Sequence, residues 1–155
     1  MSPKGLKITL AVMCAVPVIV ILALFNYMPG VVEGQLECKV TAEGLPSQAF
    51  YEQRYDLRPE FGGGQLVVEN LSDQDWTHLN LQINHHYQIH DSEPIAAHSK
   101  RKFDFERFQN RTGARFMLRY NELNYARVYA RKPTRDRATY ACGFENGKPV
   151  ELEDE

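Results

Sequence analysis

Residues Trp76–Asn84 read WTHLNLQIN, and this stretch decides the fold. Leu79, Leu81 and Ile83 alternate with polar residues, so the apolar side chains face one way and the polar ones the other. A hydrophobic period of two is typical of a half-buried β-strand rather than of an amphipathic helix. The stretch therefore predicts one strand of a sheet with a buried face and a solvent face.

Six similar short runs lie on either side of this strand, at residues 36–40, 65–70, 102–108, 115–120, 125–131 and 139–144. Turn-forming residues separate them, among them three consecutive glycines at 62–64. About seven short strands over roughly 110 residues favour an antiparallel β-sandwich over a barrel or an α/β fold. We therefore predict an all-β domain at residues 35–144.

An apolar segment precedes this domain. Ile8–Phe25 contains eighteen residues without a charge, and about 20 apolar residues cross a hydrocarbon core of roughly 30 Å. A signal peptide has a shorter apolar core, of about 7–15 residues, and cleavage remains the alternative interpretation. We predict a retained transmembrane helix at residues 8–28 and a linker at 29–34.

Charge sets the expected orientation of this anchor. Lys4 and Lys7 precede the apolar run, whereas Glu33 and Glu37 follow it. The positive-inside rule then places residues 1–7 in the cytoplasm and the rest of the chain outside, in the periplasm or at the cell surface. We expect a single-pass membrane protein that ends in an acidic flexible tail at residues 145–155.

Composition and motifs exclude several function classes. The 155 residues carry a net charge of -2 with 43% hydrophobic residues, which fits one domain and one extra segment. The chain has no phosphate-binding glycine loop, zinc-protease motif or nucleophile elbow, and no nucleophile with a base can be named, so we expect no enzyme. An extracytoplasmic location and a pI near 6.2 argue against nucleic acid as a partner.

Two cysteines mark the ends of the predicted domain. Cys38 lies in its first predicted strand and Cys142 in its last. Because an extracytoplasmic compartment permits disulfides, we predict a Cys38–Cys142 bond. Two buried, inert thiols, or a contact with a metal or a partner, are the alternative.

The segment Asp136-x-Ala138-x-Tyr140-x-Cys142, together with Leu36-x-Cys38, is similar to the cysteine strands of immunoglobulin domains. That resemblance implies an Ig-like sandwich in which Tyr140 forms the tyrosine corner, tying a loop to the last strands. Trp76 is the only tryptophan and lies further from Cys38 than the core tryptophan of that family, and we assign it a structural role.

Residues 66–105 resemble a second family, the bacterial secreted or membrane-anchored sandwich modules of the FxLYD type. The similarity lies in the run LVVENLSDQDW, the strand that follows it, and the later Phe103-Asp104-Phe105. His85-His86-Tyr87 stands in place of the signature tetrapeptide. The resemblance implies a binding or scaffolding ectodomain without catalytic residues.

Charge is segregated along the chain. Residues 33–99 hold eleven acidic and three basic residues, and residues 100–137 hold twelve basic and four acidic ones. Either these halves pair internally, or the basic strands form an exposed surface. In the second case Arg115, Arg119, Arg127, Tyr129 and Arg131 are the candidate binding residues, for an acidic partner protein, a polyanionic glycan or anionic headgroups.

Histidines supply an alternative function. Five lie within residues 78–98, and His85, His86 and His90 are the candidate ligands for copper or zinc. Neighbouring residues of a continuous strand point to opposite faces, so shared ligation requires the strand to turn near His86. The leading hypothesis is an interaction module without a cofactor, and a periplasmic metal-binding protein is the alternative.

Two sequons, Asn70-Leu71-Ser72 and Asn110-Arg111-Thr112, lie in the predicted outer part of the chain. In a host that glycosylates asparagine they are potential acceptor sites. In a bacterial host they act as turn residues, which is the interpretation we favour.

Overall fold

A computed structural model describes residues 13–23 and 32–152, and it shows a chain that is mostly β-sheet. The chain divides into two compact units, residues 1–31 and Val32–Glu155. In the first unit, residues 13–23 are helical. The second unit contains two sheets, which is consistent with a β-sandwich.

Nine strands follow one another in the second unit: β1 (Val32–Gln35), β2 (Cys38–Glu43), β3 (Gln65–Asn70), β4 (Thr77–Ile83), β5 (Tyr87–Asp91), β6 (Lys100–Asp104), β7 (Tyr125–Arg131), β8 (Arg137–Glu145) and β9 (Lys148–Val150). The larger sheet has the order β1-β8-β7-β4-β5, and β9 also pairs with β8. The smaller sheet has the order β2-β3-β6. All these pairs are antiparallel except β1 with β8, which is parallel. Short helical turns occupy Gln48–Tyr51, Tyr55–Leu57 and Phe105–Arg107.

The inward side chains of both sheets form one buried core. Leu79, Leu81 and Ile83 of β4 are at most 1% exposed, which confirms the alternation predicted for this strand. Burying one such side chain contributes about 1.5–3 kcal/mol to folding. The largest fully buried side chains are those of Trp76, Phe103, Phe105, Phe108 and Phe116.

Trp76 and Tyr140 occupy different environments. The Trp76 side chain is fully buried, and its indole N–H donates to Ser72 Oγ over 3.1 Å. Tyr140 is half-buried against the core, and burial raises the pKa of its phenol. Within the described part of the chain its hydroxyl makes no hydrogen bond, so the tyrosine corner implied by the resemblance is not seen there.

The predicted transmembrane helix falls partly outside the described residues, which omit 8–12 and 24–28 of it. Among the residues that are described, no helix combines the length and the apolar content needed to cross a membrane. The span at residues 8–28 therefore stays a prediction.

The prediction of a strand at residues 115–120 is wrong. Its backbone makes only an isolated bridge between Gln109 and Arg115, and then turns, with the amides of Tyr120 and Asn121 donating to Met117 O. Phe116 and Leu118 are nevertheless buried. Apolar and polar residues alternate here because a loop places every second side chain in the core. The loop does not pair with a neighbouring strand.

Two hairpins were missed because their turns need positive φ angles. Asn84 and His85, at +45° and +61°, follow β4 close to the predicted end of that strand and lead into β5, a strand that was not predicted. Asn146 and Gly147, at +50° and +75°, join β8 to β9 inside the predicted acidic tail. Asn-Gly is the residue pair that a two-residue hairpin turn favours. The predicted tail at 145–155 is therefore wrong up to Val150, and residues 153–155 lie outside the described part.

The two sequon asparagines are turn residues. The Asn70 side chain is fully buried: its amide nitrogen donates to the carbonyls of Gln74, Ile95 and Ala96, and its oxygen accepts from Ser72. Asn110 Oδ1 accepts in the same way from the Thr112 amide and hydroxyl. Burial of Asn70 closes it to modification in the folded domain.

Candidate functional site

The outward side of the larger sheet carries a continuous polar surface, which we call the polar sheet face. It is formed by side chains of β4, β5, β7 and β8 that alternate with the buried ones: His78, Asn80, Gln82, Gln88, His90, Arg127, Tyr129, Arg131, Arg137 and Thr139. The strand registers arrange them in rows. Asn80 lies opposite both His90 and Tyr129, so residues far apart in sequence become neighbours.

None of the ten residues that form the polar sheet face is acidic. Arg127, Arg131 and Arg137 make no ion pair with any residue in the described part of the chain. Arg131 and Arg137 moreover lie directly opposite each other on β7 and β8. Three guanidinium groups therefore give this surface an unbalanced positive charge.

The basic residues near β6 behave differently. Arg101 pairs with Asp91 at 2.9 Å and also with Glu93, and Lys102 pairs with Glu43 at 2.6 Å. The two interpretations of the charge segregation thus apply to different parts of the fold. Acidic residues of the first half neutralise β6, whereas the arginines of β7 and β8 remain uncompensated.

Buried polar atoms without a partner concentrate on the polar sheet face. Within the described residues these atoms include Arg127 Nε, Arg131 Nε, Asn80 Oδ1 and Thr139 Oγ1. Leaving such a group unsatisfied costs about 1–3 kcal/mol. The face therefore holds buried hydrogen-bond donors and acceptors that no described residue satisfies.

A hollow of about 460 Å³ opens on this face, between β4, β5, β7 and β8. Its volume lies within the range of small-ligand sites, roughly 300–1,000 Å³. Lining it are His78, Asn80, Gln82, Gln88, His90, Tyr129, Ala130, Arg131 and Arg137.

Two contacts fix the middle of β7. Arg127 Nη1 donates to the Tyr129 hydroxyl over 3.0 Å, and this bond raises the pKa of the guanidinium, which keeps it charged. His85 stacks on Tyr125 with ring centroids 3.9 Å apart. Burial raises the pKa of the Tyr125 phenol. Tyr125, Arg127 and Tyr129 are thus held by contacts within the domain.

The structure separates the five predicted partner-binding residues into two places. Arg127, Tyr129 and Arg131 share the polar sheet face. Arg115 and Arg119 lie in the loop before β7, where the Arg119 carbonyl accepts a hydrogen bond from the buried Arg58. Sequence reasoning missed Arg137, Asn80 and Thr139, which join the face only through strand pairing.

The histidines do not assemble into a metal site. His85 and His86 lie in the turn between β4 and β5, as shared ligation required, but His90 lies on β5 opposite Asn80. Within residues 13–23 and 32–152, no three His, Cys, Asp or Glu side chains come together closely enough to hold a metal ion. The copper or zinc alternative thus gains no support here.

Cys38 and Cys142 are free thiols, so the predicted disulfide is not formed in this structure. Both side chains are buried. Burial raises the pKa of Cys38 to about 12, with Cys142 as a further cause, and that of Cys142 to about 11. At neutral pH both groups are protonated and therefore unreactive.

A larger cavity, of about 680 Å³, lies beside the glycines at 62–64. Its buried wall is apolar and includes Phe105, Phe116 and Leu118. Its rim carries Asp104 and Glu106 together with Arg107 and Arg115, so both signs of charge are present. The rim therefore lacks the single-sign charge of the polar sheet face.

We compared the chain with known protein families, curated proteins and solved structures, and found no match.

Proposed function

We propose that this chain is a single-pass membrane protein whose Ig-like ectodomain is a non-enzymatic interaction module outside the cytoplasm. The observation that carries the proposal is the polar sheet face, where Arg127, Arg131 and Arg137 lack any ion-pair partner among the described residues. Uncompensated charge on a pre-ordered sheet suits recognition of an anionic surface or an acidic partner.

The apolar segment at residues 8–28 supports anchorage, and the positive charges before it support an extracytoplasmic ectodomain. The two sheets, in which all described strand pairs except β1 with β8 are antiparallel, support the Ig-like assignment. A module tethered in this way meets its partner at or near the membrane.

The test uses the tagged full chain in cells of its source organism. We expect the protein to resist carbonate extraction and the ectodomain to be cleaved by protease added to intact cells. After gentle solubilisation, the wild-type protein is expected to retain its bound partner. The triple variant R127Q/R131Q/R137Q is expected to lose that partner.

Two controls make this test specific. K39Q/K100Q/K102Q removes the same number of positive charges from the smaller sheet, and it should retain its bound partner. R115Q/R119Q tests the loop arginines separately. Release by carbonate would contradict anchorage, and unchanged capture by R127Q/R131Q/R137Q would contradict the assigned face.

A further inference from the structure

We infer that β6 is a contact between two copies of this chain, which join their smaller sheets edge to edge as a two-fold symmetric dimer. In this dimer β6 lies antiparallel to β6 of the second copy, with Lys102 opposite Lys102 of that copy. The inference goes beyond the proposed function, because it concerns the smaller sheet and not the polar sheet face. Its support is an open strand edge and the charge pattern along that edge.

Two backbone hydrogen bonds show which way the strand faces. β6 is an end strand of the order β2-β3-β6 and pairs with β3. At either end of this pairing the Asn70 amide donates to Ser99 O, and the Phe105 amide donates to Gly64 O. In an antiparallel pair the bonded positions alternate, so the odd-numbered residues of β6 direct their backbone groups toward β3. The even-numbered residues direct theirs away from the sheet.

The outward backbone groups belong to Lys100, Lys102 and Asp104, whose side chains are exposed. Within the described part of the chain, no other backbone group bonds to their amides or carbonyls. Such a row of unpaired groups is a template for a further strand. The edge of β5 differs, because Gln88 there already exchanges two backbone bonds with Gln109.

An antiparallel pairing centred on Lys102 uses all of these outward groups at once. Residues 100, 102 and 104 of one copy then lie opposite residues 104, 102 and 100 of the other. Each of these opposed pairs exchanges two backbone hydrogen bonds. Because Lys102 is the middle residue of β6, this register pairs the strand over its whole length.

The charges of β6 match the same register. Lys100 lies opposite Asp104 of the second copy at both ends of the contact, and neither side chain has an ion-pair partner among the described residues. Opposite charges at directly opposed positions stabilise a sheet. Lys102 meets its own copy, but Glu43 already pairs with it at 2.6 Å. The centre of the contact is therefore neutral.

Other pairings of this edge are disfavoured by its lysines, which oppose the addition of unrelated strands. Parallel pairing in register sets Lys100 and Lys102 each against its own copy. An antiparallel pairing centred on residue 101 sets Lys100 against Lys102. The register centred on Lys102 is the one that gives both Lys100 and Asp104 an opposite charge, so the edge selects a second copy of itself.

The first test is oxidative cross-linking of the full chain in native membranes. C14A removes the exposed thiol, and the two remaining cysteines are buried. In this background K102C is expected to form a covalent dimer, because opposed Cα atoms lie about 5.5 Å apart and a disulfide spans that distance. K100C is the matched control. Its two copies are separated by four residues along the strand, roughly 13 Å, so it should stay monomeric.

The second test is charge reversal, measured by sedimentation of the full chain in a neutral detergent. K100D and D104K each place like charges opposite one another at both ends of the contact, and each should weaken self-association about ten-fold. K100D/D104K exchanges the two charges and should restore it. Both positions are exposed, so all three variants should fold, which a thermal melt checks.

Equal cross-linking of K102C and K100C would overturn the assigned register, and so would a double variant as weak as K100D alone. A wild-type chain that stays monomeric in detergent, with no cross-linking of K102C in membranes, would overturn the dimer. The proposed function fails separately: R127Q/R131Q/R137Q should leave the dimer intact, and K100D should retain the partner that the wild type captures.

Discussion

Arg131 on β7 lies directly opposite Arg137 on β8, and neither side chain has a carboxylate partner among the described residues. Like charges at directly opposed positions of an antiparallel pair destabilise a sheet. The domain tolerates this repulsion at the edge of its hollow. Such an arrangement is expected where a bound anion relieves the repulsion.

The first prediction concerns this arginine pair. R137Q should raise the free energy of unfolding by about 0.2–1 kcal/mol, because it removes the repulsion, and should at the same time weaken binding of an anionic ligand. Urea unfolding measures the first effect. R127Q is the comparison, because Arg127 lies opposite Ala141 and Gln82 and has no repulsion to lose. It does lose its hydrogen bond to Tyr129, so its free energy of unfolding should not rise. A loss of stability in R137Q would contradict the interpretation.

The second prediction concerns the buried asparagine. N70A should lower the free energy of unfolding by about 3 kcal/mol, because it removes the hydrogen bonds that this fully buried side chain makes to Ser72, Gln74, Ile95 and Ala96. N110A removes a similar turn contact at a more exposed site and should cost about 1 kcal/mol or less. Chemical unfolding compares the two. Equal losses of unfolding free energy in N70A and N110A would contradict the role assigned to burial of Asn70.

The third prediction concerns Arg58, which is 6% exposed and donates to the carbonyls of Tyr51, Gln53 and Arg119. R58K should cost about 2–4 kcal/mol, because an ammonium group cannot reproduce the planar fork of donors. We expect faster proteolysis within residues 44–64. R54A is the control: the side chains of Arg54 and Asp56 are mostly exposed, so removing their ion pair should cost little. Unchanged proteolysis of R58K would refute the assigned role.

The fourth prediction concerns pH. Unfolded thiols lose their protons near pH 8.5, whereas burial holds Cys38 and Cys142 protonated until about pH 12 and 11. Between these values the unfolded state binds fewer protons, so the stability that the raised pKa values provide is constant below about pH 8 and falls as pH rises. Urea unfolding from pH 7 to 11 measures this slope.

The double variant C38A/C142A should show a shallower decline over that range, although it starts from a lower stability. C14A should keep the wild-type slope. The same burial predicts that neither Cys38 nor Cys142 reacts with a thiol reagent at pH 8 until urea is added. Rapid reaction of either residue in the folded protein would contradict the assignment.

Local patterns predicted much of the fold. β3 and β7 begin and end where the sequence indicated: β3 is an apolar run that follows the glycines at 62–64, and the buried residues of β7 alternate from Ala126 to Ala130. β5 was not predicted, since Ile89 is its one buried residue and the turn before it depends on Asn84 and His85 adopting positive φ. The alternation of apolar residues at 115–120 led to the wrong prediction of a strand, because the buried side chains there belong to a loop.

The candidate site was less accessible to sequence reasoning. The outward residues of β7 were found because they repeat within one strand. Asn80, Arg137 and Thr139 were not found, because their proximity depends on the registers between β4, β7 and β8. Which arginines lack partners also depends on tertiary pairing, since Arg101 and Arg127 look alike in the sequence and only Arg101 meets acidic residues.

The outer edge of β8 is covered by two short strands from opposite ends of the unit. β1 pairs along Arg137–Thr139 and β9 along Gly143–Glu145, which leaves only three residues between them. An uncovered edge strand of this length exposes unpaired backbone N–H and C=O groups, with which a strand of another chain is able to pair. Because β9 follows β8 along the chain, we expect the edge of β8 at Gly143–Glu145 to stay open to pairing with other chains until Val150 has been synthesised.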